Sequence, residues 1–271
     1  MSWWNAQATD TRISHGSRLW LYITAAIIML LLVLPTLIVI PMSFSSSQYL
    51  EFPPETWSTR WYDEYVSSKK WMRATATSLK TGLLTMLLAT PVGTMAAYAL
   101  FVSGHKAARW LFTLLITPMI VPVILIAIGT FYAFGRMGLN NTVTGLVLAH
   151  SALAIPLVMI VITAALRSYD LNQELVARSL GATRLKAFLV ITLPQIKFSV
   201  VTAALLSFLT SFDEVIVSIF VSGGVNATLT KHMFSALRDF IDPTIAAIST
   251  IMIVVSTLLL LATQWIGSRQ K

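Results

Sequence analysis

Apolar residues run along this chain in long blocks separated by shorter polar segments, and the blocks define its elements. Six are long enough for a helix across a hydrocarbon core of about 30 Å, which takes about 20 residues. They span residues 19–42, 76–102, 107–134, 143–168, 194–221 and 244–267. The expected architecture is an all-α polytopic membrane protein with six transmembrane helices. The first block is longer than the apolar stretch of a cleavable signal peptide, so it reads as a retained helix. Several blocks carry Pro or Gly, notably Pro91, Gly93, Pro118, Pro122 and Pro156. Membrane helices tolerate these where neighbours re-satisfy the backbone, and kinks there suit a bundle that moves. Gly82, Ala89, Gly93, Ala96 and Ala97 are small enough to let helices approach closely. No internal repeat argues for inverted halves.

The polar segments are as informative. Residues 1–18 carry Trp3, Trp4, Arg12 and Arg18 and read as a cytoplasmic tail. Residues 43–75 hold Phe52-Pro53-Pro54 with Trp57, Trp61, Tyr62 and Trp71, an aromatic loop expected to pack at the interface outside the membrane. Residues 168–194 form the longest polar interruption of the second half. Asp170 with Gln173 resembles a capping box, and Gly181 suits the left-handed residue that closes a helix. Between them Leu171 and Leu175, then Val176 and Leu180, recur at i,i+4, giving one apolar side while Glu174 and Arg178 fall elsewhere. Thr183 can cap a second helix over 184–193, and Pro194 marks where the chain turns into a new segment. A short helix with an apolar side needs a surface to lie on, either a partner protein or the membrane.

Composition agrees with the blocks. The chain is 56% hydrophobic and 11% charged with a mean hydropathy of +0.77, where a soluble domain carries about 25% charged residues. The net charge of +8 does not point to nucleic acid, because the cations lie in loops between apolar blocks rather than along one soluble face. They act as topology signals. With the amino terminus inside, the cytoplasmic segments hold eleven basic residues: Arg12, Arg18, Lys106, Arg109, Arg167, Arg178, Arg184, Lys186, Lys197, Arg269 and Lys271. The opposite side holds seven: Arg60, Lys69, Lys70, Arg73, Arg136, Lys231 and Arg238. The bias favours both termini inside and places residues 168–194 in the cytoplasm. There is no cysteine, which excludes disulfides, thiolate catalysis and zinc-thiolate sites.

The spacing of Gly181, nine residues, then Ile191-Thr192-Leu193-Pro194 resembles the cytoplasmic loop motif of permease subunits in bacterial binding-protein-dependent ABC importers. At the positions of that motif's Glu-Ala-Ala this chain has Leu175, Val176 and Ala177, with Glu174 one position early, about 100° away on a helix. Further on, Ser211-Phe212-Asp213-Glu214, Phe220-Val221-Ser222-Gly223, residues 233–238 and residues 242–250 are similar to the branch with spermidine/putrescine-type permeases, which also includes permeases for phosphonate-type solutes. Leu229-Thr230 departs from the branch's Leu-Pro. The resemblance covers roughly residues 75–267. It implies the type I importer permease fold over residues 76–267 and a multi-pass place in the bacterial inner membrane. It also implies two ATPase subunits, a second related permease, a periplasmic binding protein and a small organic solute. The coupling residues it implies are Glu174, Leu175, Val176, Ala177, Gly181, Ile191, Leu193 and Pro194.

Asp213 and Glu214 stand inside the fifth block, where an acid costs about 2.5–3.5 kcal/mol on insertion scales and so faces a cavity or a partner. They are candidates for the substrate pathway, or for ordering the bundle. His150, in Ala149-His150-Ser151, is read as opening the fourth helix and is a third pathway candidate. No HExxH, CxxC, P-loop or Gly-x-Ser-x-Gly is present, so metalloenzyme, redox, NTPase and hydrolase chemistry lack their residues, and any ATPase is a separate polypeptide. No cofactor or metal is expected. A proton-coupled transporter using Asp213 or Glu214, and a membrane scaffold or embedded enzyme, are the alternatives from other classes.

Overall fold

The computed structural model describes residues 18–268, and the expectations for the first seventeen and last three residues lie outside them. Among the described residues the regular elements are helices: α1 Leu19–Met42, α2 Arg60–Ser67, α3 Lys69–Val102, α4 Lys106–Ile116, α5 Val123–Met137, α6 Val143–Arg167, α7 Asn172–Ser179, α8 Arg184–Ala187, α9 Leu193–Gln195, α10 Lys197–Phe212, α11 Ile216–Val221, α12 Leu229–Asp239 and α13 Thr244–Ser268. The chain divides into two units, residues 1–64 with 242–253, and residues 65–241 with 254–271.

In the first unit α1 is apolar on every side and none of its residues is buried, as suits a helix whose surroundings are lipid. The loop after it folds on itself. Ser43 hydrogen-bonds Tyr62 Oη at 2.7 Å, Trp61 Nε1 donates to the Ser47 carbonyl at 3.1 Å, and the Tyr62 ring packs on Phe44 with centroids 5.2 Å apart. Trp57 is exposed. Residues 43–75 are not wholly a loop, because α2 and the first turns of α3 fall within them, and Ser68 caps α3 through the Trp71 N–H.

The second unit is built on α3, α6 and α10, which pack pairwise. Their core contains Tyr98, Met159, Ile162, Leu166, Phe188 and Ala203. At Gly93 a Cβ would lie 2.7 Å from Val158 Cγ1, so only glycine lets α3 approach α6 this closely. Ala89 and Ala97 are fully buried on the same helix. A second core joins α5, α6 and α11 through Ala127, Leu146, Ala149, Val217 and Val221. Helices α3 and α6 continue through Pro91 and Pro156.

Among the described residues four helices are long and apolar enough to cross a membrane, and two bent pairs bring the number to six if each pair is one span. The third block is therefore not one helix. It turns by 94° between Lys106–Met119 and Val123–Met137, at Pro122, which has no N–H to offer the preceding turn. The fifth block is also interrupted. A turn of 80° separates Arg184–Gln195 from Lys197–Phe212, and the chain leaves helical form again at residues 213–215 before α11.

Candidate functional site

Two constructions concentrate the polar chemistry of the second unit: the segment around α7, and the interruption between α10 and α11.

Asp170 does not form a capping box. Its carboxylate accepts the Asn172 N–H at 3.0 Å in an Asx turn, α7 starts two residues later than Asp170, and Gln173 Oε1 accepts from Gln195 Nε2 instead. The far end follows the glycine expectation. Gly181 has φ +92°, its N–H reaches the Arg178 carbonyl at 3.0 Å, and the Ala182 N–H reaches the Ala177 carbonyl at 3.1 Å. These are the two bonds of a Schellman ending, which satisfy orphan carbonyls of the last turn. Thr183 Oγ1 then accepts the Lys186 N–H at 3.3 Å and starts α8. The helix that follows does not stop at Pro194. It runs on through a π turn, Phe188–Thr192, in which the Leu193 N–H bonds the Phe188 carbonyl, and the bend falls at Ile196. Pro194 has no N–H for the normal i−4 bond, and the wider register just before it absorbs that loss.

The orientation of α7 reverses the usual one. Leu175, Val176 and Leu180 are 54%, 59% and 83% exposed, whereas Glu174 is 3% exposed. The Glu174 carboxylate accepts from Tyr98 Oη at 2.5 Å and from Thr192 Oγ1 at 2.9 Å. Ala177, Ile191 and Leu193 are half-buried, and Pro194 is exposed. Tyr98 and Thr192 are thus partners that the sequence reading did not single out. The available signal was a phenol near the end of an apolar block, since a buried tyrosine hydroxyl finds a hydrogen-bond partner.

Asp213 and Glu214 are not inside a continuous helix, as the apolar block implied. They form the interruption itself. Glu214 Oε1 accepts the Val217 N–H at 3.0 Å, satisfying an orphan donor at the start of α11, and the Glu214 carbonyl accepts Thr230 Oγ1 at 3.0 Å. Thr230 is the residue that departs from the branch pattern, and its hydroxyl braces the interruption. At the other end of α11, Lys231 Nζ donates to the carbonyls of Ile219, at 2.9 Å, and Ser222. Burial pulls the Lys231 ammonium below the ordinary lysine range. Asp213 is exposed; its N–H bonds the Leu209 carbonyl at 3.0 Å, and its carboxylate makes no hydrogen bond or ion pair with any described residue.

His150 does not open its helix. It lies two turns inside α6, 1% exposed, with Nδ1 2.8 Å from Ser211 Oγ and Nε2 3.3 Å from Ser218 Oγ. One imidazole thereby joins the last turn of α10 to α11 across the interruption. Ser211 continues to Thr85 of α3 at 3.3 Å. His150 bonds neither acid, so the structure places these three pathway candidates near one interruption without making them a single polar group. Among the described residues no group of His, Asp and Glu is arranged to hold a metal.

Apolar helices with polar groups gathered at their interruptions, and a short helix that turns its apolar side outward, define a multi-pass membrane protein. Residues 89–271 match the family described as binding-protein-dependent transport system inner membrane component, and the chain belongs to that family. It is 33% identical over 227 residues to the putrescine transport system permease protein PotI of Escherichia coli strain K12, covering 81% of this chain and 80% of that one. It is 30% identical over 236 residues to the spermidine/putrescine transport system permease protein PotC of Haemophilus influenzae, covering 87% and 91%. Among solved structures it is similar to a chain of a bacterial ABC transporter involved in import of the acidic polysaccharide alginate, with TM-score 0.68, 16% identity and 95% and 98% coverage. A chain of the inward-facing MetNI methionine ABC transporter is also similar, with TM-score 0.56, 14% identity and 79% and 99% coverage. These two likenesses concern the fold. The protein is a permease subunit of the inner membrane.

Proposed function

We propose that this chain is one of two permease subunits of an ATP-driven importer for a polyamine of the putrescine or spermidine type, and that α7 is its docking helix for a separate ATPase. The observation that carries the docking reading is the reversed orientation of α7. A helix that turns Leu175, Val176 and Leu180 outward while burying a carboxylate has its apolar side ready for a partner. The basic bias of the loops puts that side in the cytoplasm, where an ATPase would meet it, and puts both termini there as well. In this reading residues 1–18 and 268–271 are cytoplasmic tails, 19–42 is an additional helix, 43–75 is periplasmic, and 76–267 is the transport domain carrying the 168–194 handle.

The solute class is supported by the relatives' names and by Asp213. An unpaired carboxylate beside the carbonyl end of α10, where the helix dipole is negative, suits an ammonium group. Glu214 already caps α11, so the two acids have separate roles, with Glu214 structural and Asp213 facing the solute. ATP binding would close a pair of ATPases and displace the handle of each permease. A periplasmic binding protein would deliver the solute to the opened cavity. Double substitution Leu175→Asp and Leu180→Asp tests the docking. The expected result is a correctly inserted chain that no longer co-purifies with its co-encoded ATPase, and undiminished co-purification contradicts the assignment.

A further inference from the structure

Helix α7 has eight residues, and the one buried side chain among them is a carboxylate. An amphipathic helix ordinarily holds to its protein by apolar side chains and turns its acids to water. Here the apolar side chains point away and Glu174 holds the helix. Each oxygen takes a different element: Oε1 takes Tyr98 at the end of α3, and Oε2 takes Thr192 of the π turn that leads into α10. Both donors are buried, at 8% and 0% exposure. The Tyr98 ring also packs on Phe188, the first residue of the π turn, with centroids 4.3 Å apart. Bonds to an ionised acceptor are about twice as strong as neutral ones, and none of the ion pairs among the described residues involves Glu174. The other side-chain tie, Gln173 to Gln195, is exposed and uncharged.

Resting on the reading of α7 as the ATPase handle, we propose that Glu174 is the positioning residue through which displacement of the handle reaches α3 and the bend at Ile196. The argument is mechanical. Helix α7 is joined to the bundle covalently by an Asx turn at one end and the Gly181 turn at the other, and its partner would act on its outer face. A helix held by two turns and pushed on one face rolls about its axis unless the opposite face is fixed. Apolar contacts permit sliding, whereas two directional bonds from one carboxylate oppose roll in both senses. One position further along the helix, Leu175 is 54% exposed, so the side that fixes α7 is the side that carries Glu174.

The test uses the full complex of this chain with its co-encoded permease, ATPase and binding protein, in proteoliposomes. Glu174→Ala, Glu174→Gln and Tyr98→Phe are compared for complex assembly, ATP hydrolysis and putrescine uptake. Glu174→Ala and Tyr98→Phe are expected to assemble and hydrolyse ATP within about twofold of the parent while uptake per ATP falls about tenfold or more, the factor that loss of a charge-assisted hydrogen bond implies. Glu174→Gln, which keeps the shape, one acceptor for Tyr98 and a donor toward Thr192, is expected to recover most of the ratio. A solute-independent arm exploits the absence of cysteine. Spin labels on Asn172→Cys and Ala99→Cys should keep one separation with and without ATP in the parent, and separate into two in Glu174→Ala. Proportional loss of uptake and hydrolysis in the assembled alanine variant, an unchanged uptake ratio, or a parent separation that moves with ATP overturns the proposal. If Glu174→Ala fails to assemble, Tyr98→Phe decides by the same criteria. Failure of the handle reading itself shows separately, as ATPase co-purification that survives Leu175→Asp with Leu180→Asp.

Discussion

A φ of +92° at Gly181 leaves open space around the position where a Cβ would stand, so the cost of a side chain there is conformational rather than steric. A non-glycine residue in the left-handed region costs about 1–2 kcal/mol, more for a β-branched one. Gly181→Val is therefore expected to insert normally but to unwind the Schellman ending. The measurable result is ATP hydrolysis that no longer drives uptake, and normal uptake by a correctly inserted variant would remove the turn from the coupling path. His150 carries the opposite kind of constraint. His150→Leu fills similar space but leaves the buried Ser218 hydroxyl without its partner, at about 1–3 kcal/mol, and leaves Ser211 with Thr85 alone. Thermal unfolding of the purified chain should shift down measurably, whereas an unshifted transition would mean that the serines turn to their own helix carbonyls. At Asp213 the change Asp213→Asn removes charge with little change of shape. It should lower putrescine uptake about tenfold while leaving ATPase association intact, and undiminished uptake would detach this acid from the solute.

Helices obey rules that sequence exposes to different depths. The spans themselves were legible because a bilayer demands a fixed length of apolar residues, and 19–42, 143–168 and 244–267 come within a residue or two of α1, α6 and α13. The interruptions were not. Pro118 and Pro122 signalled a kink, but a 94° turn depends on what packs inside the bend, and Asp213-Glu214 reads as an acid pair within a helix until Thr230, Lys231 and Val217 are seen to brace a gap. The helix α7 was legible as amphipathic, yet the wheel is symmetric as to which side faces home, so only the structure assigns Glu174 inward. His150 was misplaced even though the block was read from 143: a histidine between apolar residues reads as a boundary, and its burial rests on Ser211 and Ser218, which lie far along the chain. Close packing gives an element-scale prediction. Gly93→Leu forces a side chain into Val158, already 2.7 Å from a Cβ at that position. Separation of α3 from α6 should appear as a loss of monodisperse protein in detergent, and a well-behaved variant would mean that α6 yields at Val158.

At the scale of the whole molecule, the second unit holds three mutually packed helices, a short helix tied through one carboxylate to α3 and to the π turn ahead of α10, and an interrupted span that carries an unpaired carboxylate. The chain carries no P-loop motif, so in the proposed reading ATP hydrolysis falls to a separate subunit. Directionality then has to come from partners, and family membership implies a binding protein among them. The handle, the solute class and the dependence on separate ATP hydrolysis therefore stand together in one assay. Radiolabelled putrescine and spermidine uptake is measured into proteoliposomes holding this chain with its co-encoded permease and ATPase, with and without the binding protein. The account predicts accumulation that requires both ATP and the binding protein and that disappears in the Leu175→Asp, Leu180→Asp variant. Accumulation that proceeds without ATP, or that survives the double variant, would contradict it.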